Sequence, residues 1–132
     1  MSITEIEHID GVPIAHVRQD IDAASVAAVQ AQLDATLGPD AFSLIVDLTG
    51  TGYIDSAGID MLLRLGERLG QRRATLMLVI PLDSQLSRLA QLVGLDHALG
   101  VHATVEDALR AAAELPRSRF SPEGTLAQPD AV

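Results

Sequence analysis

The chain contains no cysteine and no lysine, and only 2% of its residues are aromatic. Without cysteine it has no disulfide and no thiolate metal site. Without lysine it has no Schiff base, no Walker lysine and no Ser-Lys dyad. All nine of its Lys+Arg positions are arginine. With so few aromatics the core must be aliphatic, and a hydrophobic content of 48% over 132 residues suffices for one domain. The net charge of −9 argues against binding a nucleic-acid backbone, which needs a basic face. It suits a protein that meets a basic partner surface. No apolar run reaches the length of a membrane span, and the N-terminus lacks a basic and apolar signal pattern. The expectation is a cytoplasmic protein, with neither membrane nor nucleic acid as partner.

Read along the chain, Ile3 to Ile9 and Val12 to Arg18 form two strands joined at Asp10-Gly11, a strong hairpin signal. Pro13 requires a side of its strand, or a bulge, free of ladder bonding. Asp22 can cap a helix in which Val26, Val29, Leu33 and Leu37 share one face, and Gly38-Pro39 stops it. Phe42 to Leu48 is nearly continuous apolar sequence, as expected of a central strand covered on both faces. A second helical stripe runs through Ile59, Leu62, Leu63, Gly66 and Leu69, closed by Gly70. Ala74 to Ile80 is another buried strand. Asp83 caps a third helix with Leu86, Leu89, Ala90 and Val93 inward, ended by Gly94. Leu99 to His102 is a short strand, and Thr104 caps a last helix with Val105, Ala108, Leu109 and Ala112 on one side. Residues 116–132 are Pro, Ser, Gly, Gln and Asp among others, without period, the composition of a flexible tail. Alternating strands and helices predict a single α/β domain over 1–115, with a mixed or largely parallel sheet.

The most informative segment is Asp55-Ser56-Ala57-Gly58, between the Phe42–Leu48 strand and the helix that follows. Ser56 falls at a strand-to-helix turn, where a serine can cap free backbone N–H groups. Its hydroxyl there faces solvent, within reach of another protein. A phosphate on it would meet the positive end of the helix dipole and add roughly −1.5 to −2 units of charge to the surface. The position therefore suits a switch that spares the fold and changes what can dock. Asp55 either orients the hydroxyl or favours the helix dipole. Gly58 either admits a partner's backbone or relieves packing against the sheet. Tyr53, Ile54, Ile59 and Met61 are candidates for an apolar rim, from which a dianion would expel a partner, with half of them expected in the core instead. Asp22 is a helix cap first, with a second possible role beside the Ser56 loop. Arg64, Arg68, Arg72 and Arg73 read as a solvated face that complements the negative helix end.

Other chemistries find little support. His8, His16, His97 and His102 lack metal-ligand spacing, and although His8 and His16 could meet across the hairpin, two ligands do not close a site. No metal or cofactor is expected. A nucleophile elbow needs G-x-S-x-G, but Ile54 stands two residues before Ser56. A phosphoacceptor receiver domain built on Asp47 would need a lysine, and there is none.

Over roughly residues 3 to 114 the chain resembles the STAS domain, the fold of bacterial anti-sigma-factor antagonists. The resemblance is carried by Val46-Asp47-Leu48, by Ile54-Asp55-Ser56-Ala57-Gly58-Ile59, and by Asp20-Ile21-Asp22 before the first helix. Leu92-Val93-Gly94-Leu95-Asp96, Val101 and Val105-Glu106-Asp107-Ala108-Leu109 add the family's closing segment. It implies a mixed sheet of about five strands with about four helices packed against it, and a regulatory protein, not an enzyme. It also implies that Ser56 accepts phosphate from a partner anti-sigma factor with a histidine-kinase-like ATP site. The unmodified form would capture that partner and free a sigma factor, and a separate serine phosphatase would reset the switch. Asp22, Asp55, Ser56, Ala57, Gly58, Ile59 and Met61 would form the partner surface. Ala57 stands where family members often carry Ser or Thr, leaving Ser56 as the only hydroxyl in the motif. The alternative within the fold is an unmodified scaffold or accessory subunit of a transport or signalling assembly.

Overall fold

Strands β1 (Thr4–Ile9) and β2 (Val12–Val17) form a hairpin whose two-residue turn, Asp10 and Gly11, has φ of 53° and 79°. Positive φ at both positions is the turn geometry that matches strand twist. This computed structural model describes residues 4–38 and 41–115, so the expected 116–132 tail and Pro39 lie outside the described residues. The turn sets the hairpin register, with Ile9 opposite Val12 and Thr4 opposite Val17. His8 therefore faces Pro13, while His16 faces Glu5, so the two histidines point to opposite sheet faces and do not meet. Pro13 lies just before the β2–β3 ladder, which begins at Ile14, as its missing N–H requires.

The remaining elements are α1 (Val26–Thr36), β3 (Ser43–Asp47), α2 (Ser56–Gln71), β4 (Thr75–Val79), α3 (Gln85–Leu92), α4 (Leu95–Ala98), β5 (Gly100–His102) and α5 (Val105–Ala113). The sheet runs β1-β2-β3-β4-β5, antiparallel between β1 and β2 and parallel thereafter. Each parallel connection steps to the adjacent strand in the same direction. Crossovers of one hand then put their helices on one face. Val29, Leu33, Leu62, Leu65, Leu69, Leu86 and Leu95 accordingly pack with Leu44, Val46 and Leu78 in the larger core. Helix α5 follows the last strand and is free of that constraint. Its Ala108 and Ala112 cover the opposite face, against Ile14, Ile45, Met77 and Val79. Both cores are aliphatic, as the composition demands.

Element types follow the sequence reading; several termini do not. α4 is an extra one-turn helix, making five helices among the described residues. Gly70 does not end α2, which continues to Gln71, and the left-handed residue is Arg73 at φ 60°. Ser84, not Asp83, caps α3, while Thr104 caps α5 as expected. Gly94 closes α3 in the left-handed region at φ 75°.

Gly11→Ala should destabilise the protein by about 1–2 kcal/mol, because a Cβ disfavours φ of 79°. A lower urea midpoint with unchanged slope is the expected reading.

Candidate functional site

Loops leaving the C-terminal ends of β2 and β3 lie side by side and are stitched together by backbone. Ile21 N–H donates to the Tyr53 carbonyl (3.0 Å) and Asp55 N–H to the Ile21 carbonyl (3.1 Å), making a parallel bridge between Ile21 and Ile54. Both side chains are buried, so apolar burial backs the bridge. Two more bonds tie the loops: Thr51 Oγ1 donates to the Val17 carbonyl (2.9 Å) and Gly52 N–H to Asp20 Oδ1 (3.2 Å).

Asp55 occupies the N-cap of α2, the role the sequence reading gave to Ser56. Its Oδ1 accepts from the Ala57 and Gly58 N–H groups at 2.9 and 3.1 Å. Its Oδ2 accepts from Ala23 N–H across the loop pair at 3.1 Å. One carboxylate thus caps α2 and anchors the approach to α1. Asp55 does not orient the Ser56 hydroxyl, since its oxygens serve backbone donors. Adjacent Asp and Ser are both good caps, and only coordinates separate them.

Ser56 is the first residue of α2 and is exposed. Its hydroxyl makes no hydrogen bond among the described residues, so nothing in the fold depends on it. Ala57 and Gly58 N–H are already engaged by Asp55. A phosphate on Ser56 would therefore find those helix-start donors occupied and a carboxylate as its sequence neighbour. Arg64, one helical turn beyond Asp60, is paired with it at 2.7 Å.

Among the other expected contact residues, Asp22 is half-buried and accepts from Ala24 and Ser25 N–H, each at 3.0 Å. It closes a turn ahead of α1, whose N-cap is Ser25, so it does not cap the helix itself. Gly58 is buried against the stitched loops. A Cβ there would fall 2.5 Å from Ile54 Cγ2 and 2.9 Å from the Ile21 carbonyl oxygen. Packing requires the glycine, and no partner backbone can approach it from that side. Met61 is 4% exposed and belongs to the core, so as placed it offers no docking surface. Ile54 is likewise core, whereas Tyr53 is 55% exposed. Ala57 and Ile59 are half-buried, and Ile59 lines a small apolar depression with Leu89 of α3 and Val93 just after it.

A polar cluster that sequence reasoning missed lies on the α5 side of the sheet. His16 Nδ1 lies 2.7 Å from Asp47 Oδ2, and Nε2 lies 2.7 Å from Glu7 Oε1. Asp47 Oδ1 also accepts from Thr49, through its hydroxyl (2.6 Å) and its N–H (3.0 Å). Burial acts to lower the His16 pKa, but the hydrogen bonds and charges of Glu7 and Asp47 outweigh it, and the net shift is upward. For Asp47 burial acts upward, yet Thr49 and His16 hold its pKa below the ordinary value. The signal for this cluster is the register, which a two-residue turn makes countable, together with the β2–β3 pairing, which is not local. No metal-binding group of three or more His, Asp or Glu side chains occurs among the described residues.

A five-stranded mixed sheet with an exposed serine opening the helix after its central strand defines a class of α/β domain. The chain belongs to the STAS domain family, which it matches over residues 4–108. It is 31% identical to the anti-sigma-F factor antagonist RsfA of Mycobacterium tuberculosis over 110 residues, 80% of this chain and 84% of that protein. To RsfB, an anti-sigma-F factor antagonist of the same organism, it is 26% identical over 109 residues, 83% and 87% of the two chains. The crystal structure of an anti-sigma factor antagonist from Mycobacterium paratuberculosis superposes with a TM-score of 0.75 at 27% identity, covering 84% of this chain and 93% of that one. No helix among the described residues is long and apolar enough to cross a membrane.

Asp55→Ala should cost about 1–2 kcal/mol as a lost cap, while Ser56→Ala should be near neutral, both measured by urea unfolding. Gly58→Ala should cost about 1–3 kcal/mol by overpacking. The Asp47 contribution has a defined pH window. A lowered folded pKa stabilises above the unfolded value of 3.8, and that stability is lost as pH falls through the folded value. Asp47→Asn should therefore lose less stability than the parent between about pH 5 and pH 3.

Proposed function

We propose that this protein is a cytoplasmic anti-sigma-factor antagonist that acts by partner switching and performs no catalysis of its own. The unmodified form captures an anti-sigma factor and thereby releases a sigma factor for transcription. That partner has a histidine-kinase-like ATPase fold and serves as the serine kinase. It transfers phosphate to Ser56, which ends the capture, and a serine phosphatase restores it. The observation that carries the proposal is the Ser56 hydroxyl: exposed, free of hydrogen bonds among the described residues, and set on a platform held by Asp55 and the Ile21–Ile54 bridge. The names of its relatives supply the partner class.

The energetics fit a switch. Swinging a population decisively takes several kcal/mol of differential binding. A dianion trapped at a docking surface without a countercharge supplies a penalty of that order. Here the nearest helix-start donors are committed to Asp55, so this chain does little to neutralise the new charge. The contact surface we assign is Ser56 with Ala57, the neighbouring Ile59 and Tyr53, and the Asp20–Asp22 loop. Gly58 and Asp55 support it from beneath.

Incubation with a cognate anti-sigma kinase and ATP should add one phosphate by intact mass, and Ser56→Ala should abolish it. Ser56→Ala should bind the kinase constitutively. Ser56→Asp should bind at least tenfold more weakly, a difference of about 1.4 kcal/mol, with a similar melting temperature. Equal affinity of modified and unmodified protein for the kinase would overturn the proposal. Modification elsewhere, or a stable complex with a transport or signalling assembly and an unmodified Ser56, would favour the scaffold role instead.

A further inference from the structure

The Glu7–His16–Asp47 chain joins three adjacent strands on the face of the sheet opposite α1 to α4. Glu7 lies on edge strand β1, His16 on β2 and Asp47 on β3, with both ring nitrogens 2.7 Å from carboxylate oxygens. A carboxylate at neutral pH only accepts, so both contacts are satisfied only when both ring nitrogens carry hydrogen. The arrangement is therefore built around an imidazolium. The neutral ring has one N–H and must leave one carboxylate facing a lone pair.

We propose that His16 is a proton-operated clamp on edge strand β1: the doubly protonated ring ties Glu7 to Asp47 across β2, and deprotonation releases the Glu7 end. Which end lets go follows from burial. The Asp47 side chain is 12% exposed and cannot turn to water, whereas the Glu7 side chain is 49% exposed and can. The remaining proton thus stays on Nδ1, facing Asp47. Asp47 also keeps both bonds to Thr49, so the loop leading to Ser56 is undisturbed. Further charged or titratable groups on this face are Glu5, the register partner of His16 on β1, Arg18 beyond the end of β2, and His102 on β5, in register with Asp47 through Val79. Glu5 and Arg18 are hydrogen-bonded to each other at the far end of β1. The raised pKa of His16 agrees with this geometry: a raised folded value gives stability that is full below 6.5 and lost as pH rises through the folded value. The clamp makes no use of Ser56, so it stands or falls apart from the partner-switching proposal.

The test is an NMR titration of the ring nitrogens, with amide hydrogen exchange of β1 across the same pH range, corrected for intrinsic exchange. His16 should titrate above 6.5 and, once neutral, carry its proton on Nδ1. Protection of β1 amides near Glu7 should fall about two- to fivefold through that midpoint, the range expected of an ion pair with one half-exposed partner. Glu7→Gln, an exposed and conservative change, should lower the His16 midpoint. It should also flatten the β1 response, because an amide can donate to the neutral ring. A neutral ring protonated on Nε2, or β1 protection that is constant through the His16 midpoint, would overturn the clamp. So would a Glu7→Gln variant that keeps the parent's pH response.

Discussion

The carboxylate of Asp55 is the point on which the candidate site rests. It accepts two N–H groups from the first turn of α2 and one from the loop that enters α1. In doing so it converts two loops, each with unpaired backbone, into one platform with a buried parallel bridge beneath it. Backbone groups at a helix start need partners whatever else the protein does. Meeting that need through Asp55 leaves the next residue, Ser56, without structural duty. A side chain without structural duty, exposed at a fixed place on a rigid element, is what a reversible covalent mark requires.

The glycine after the motif serves the same platform from below. Gly58 sits where Ile21 and Ile54 close over the start of α2, so the close approach of helix and loops is written into a residue with no side chain. The inner side of the platform is thereby packed against the core, while Ser56 stays on the exposed outer side. Net charge enters here as well. With −9 overall and acids at 20, 22, 55 and 60 in or beside the platform, this surface is acidic and complements a basic one.

On the sheet's other face the physics differs. α5 is a single short helix and covers only part of that face, resting on Ile45, Met77 and Val79. Beyond it, near the strand ends of β2 and β3, polar side chains take the place of apolar packing. Carboxylates there are partnered by the His16 ring and by Thr49, and not by solvent alone. Titratable side chains are thus gathered here, whereas the aliphatic cores hold none.

Much of this protein was legible in its residues, because the determining forces are local. The Asp10-Gly11 turn, the helical stripes of α1, α2 and α5, and the apolar run of β3 follow from periodicity and turn chemistry over a few residues. Those same patterns placed Ser56 at a solvent-facing strand-to-helix turn. What the residues left open was every choice between neighbours of similar propensity. Whether Asp55 or Ser56 caps α2 and whether Ser84 or Asp83 caps α3 are small local differences, and the left-handed turn after α2 falls on Arg73 and not on Gly70, against local preference. Tertiary contacts make those choices. Half of the four apolar rim candidates were expected in the core, but only the structure shows that these are Ile54 and Met61, because their orientation depends on where the sheet lies relative to α2. The His16 cluster depends on pairing between strands about thirty residues apart, beyond the reach of any local pattern. Sequence alone determined the elements other than α4, and the exposed hydroxyl; the meeting of β1, β2 and β3, and of the two loops beneath Ser56, was decided only by the packed sheet, since non-local contacts carry no signature in the short windows from which local structure is read.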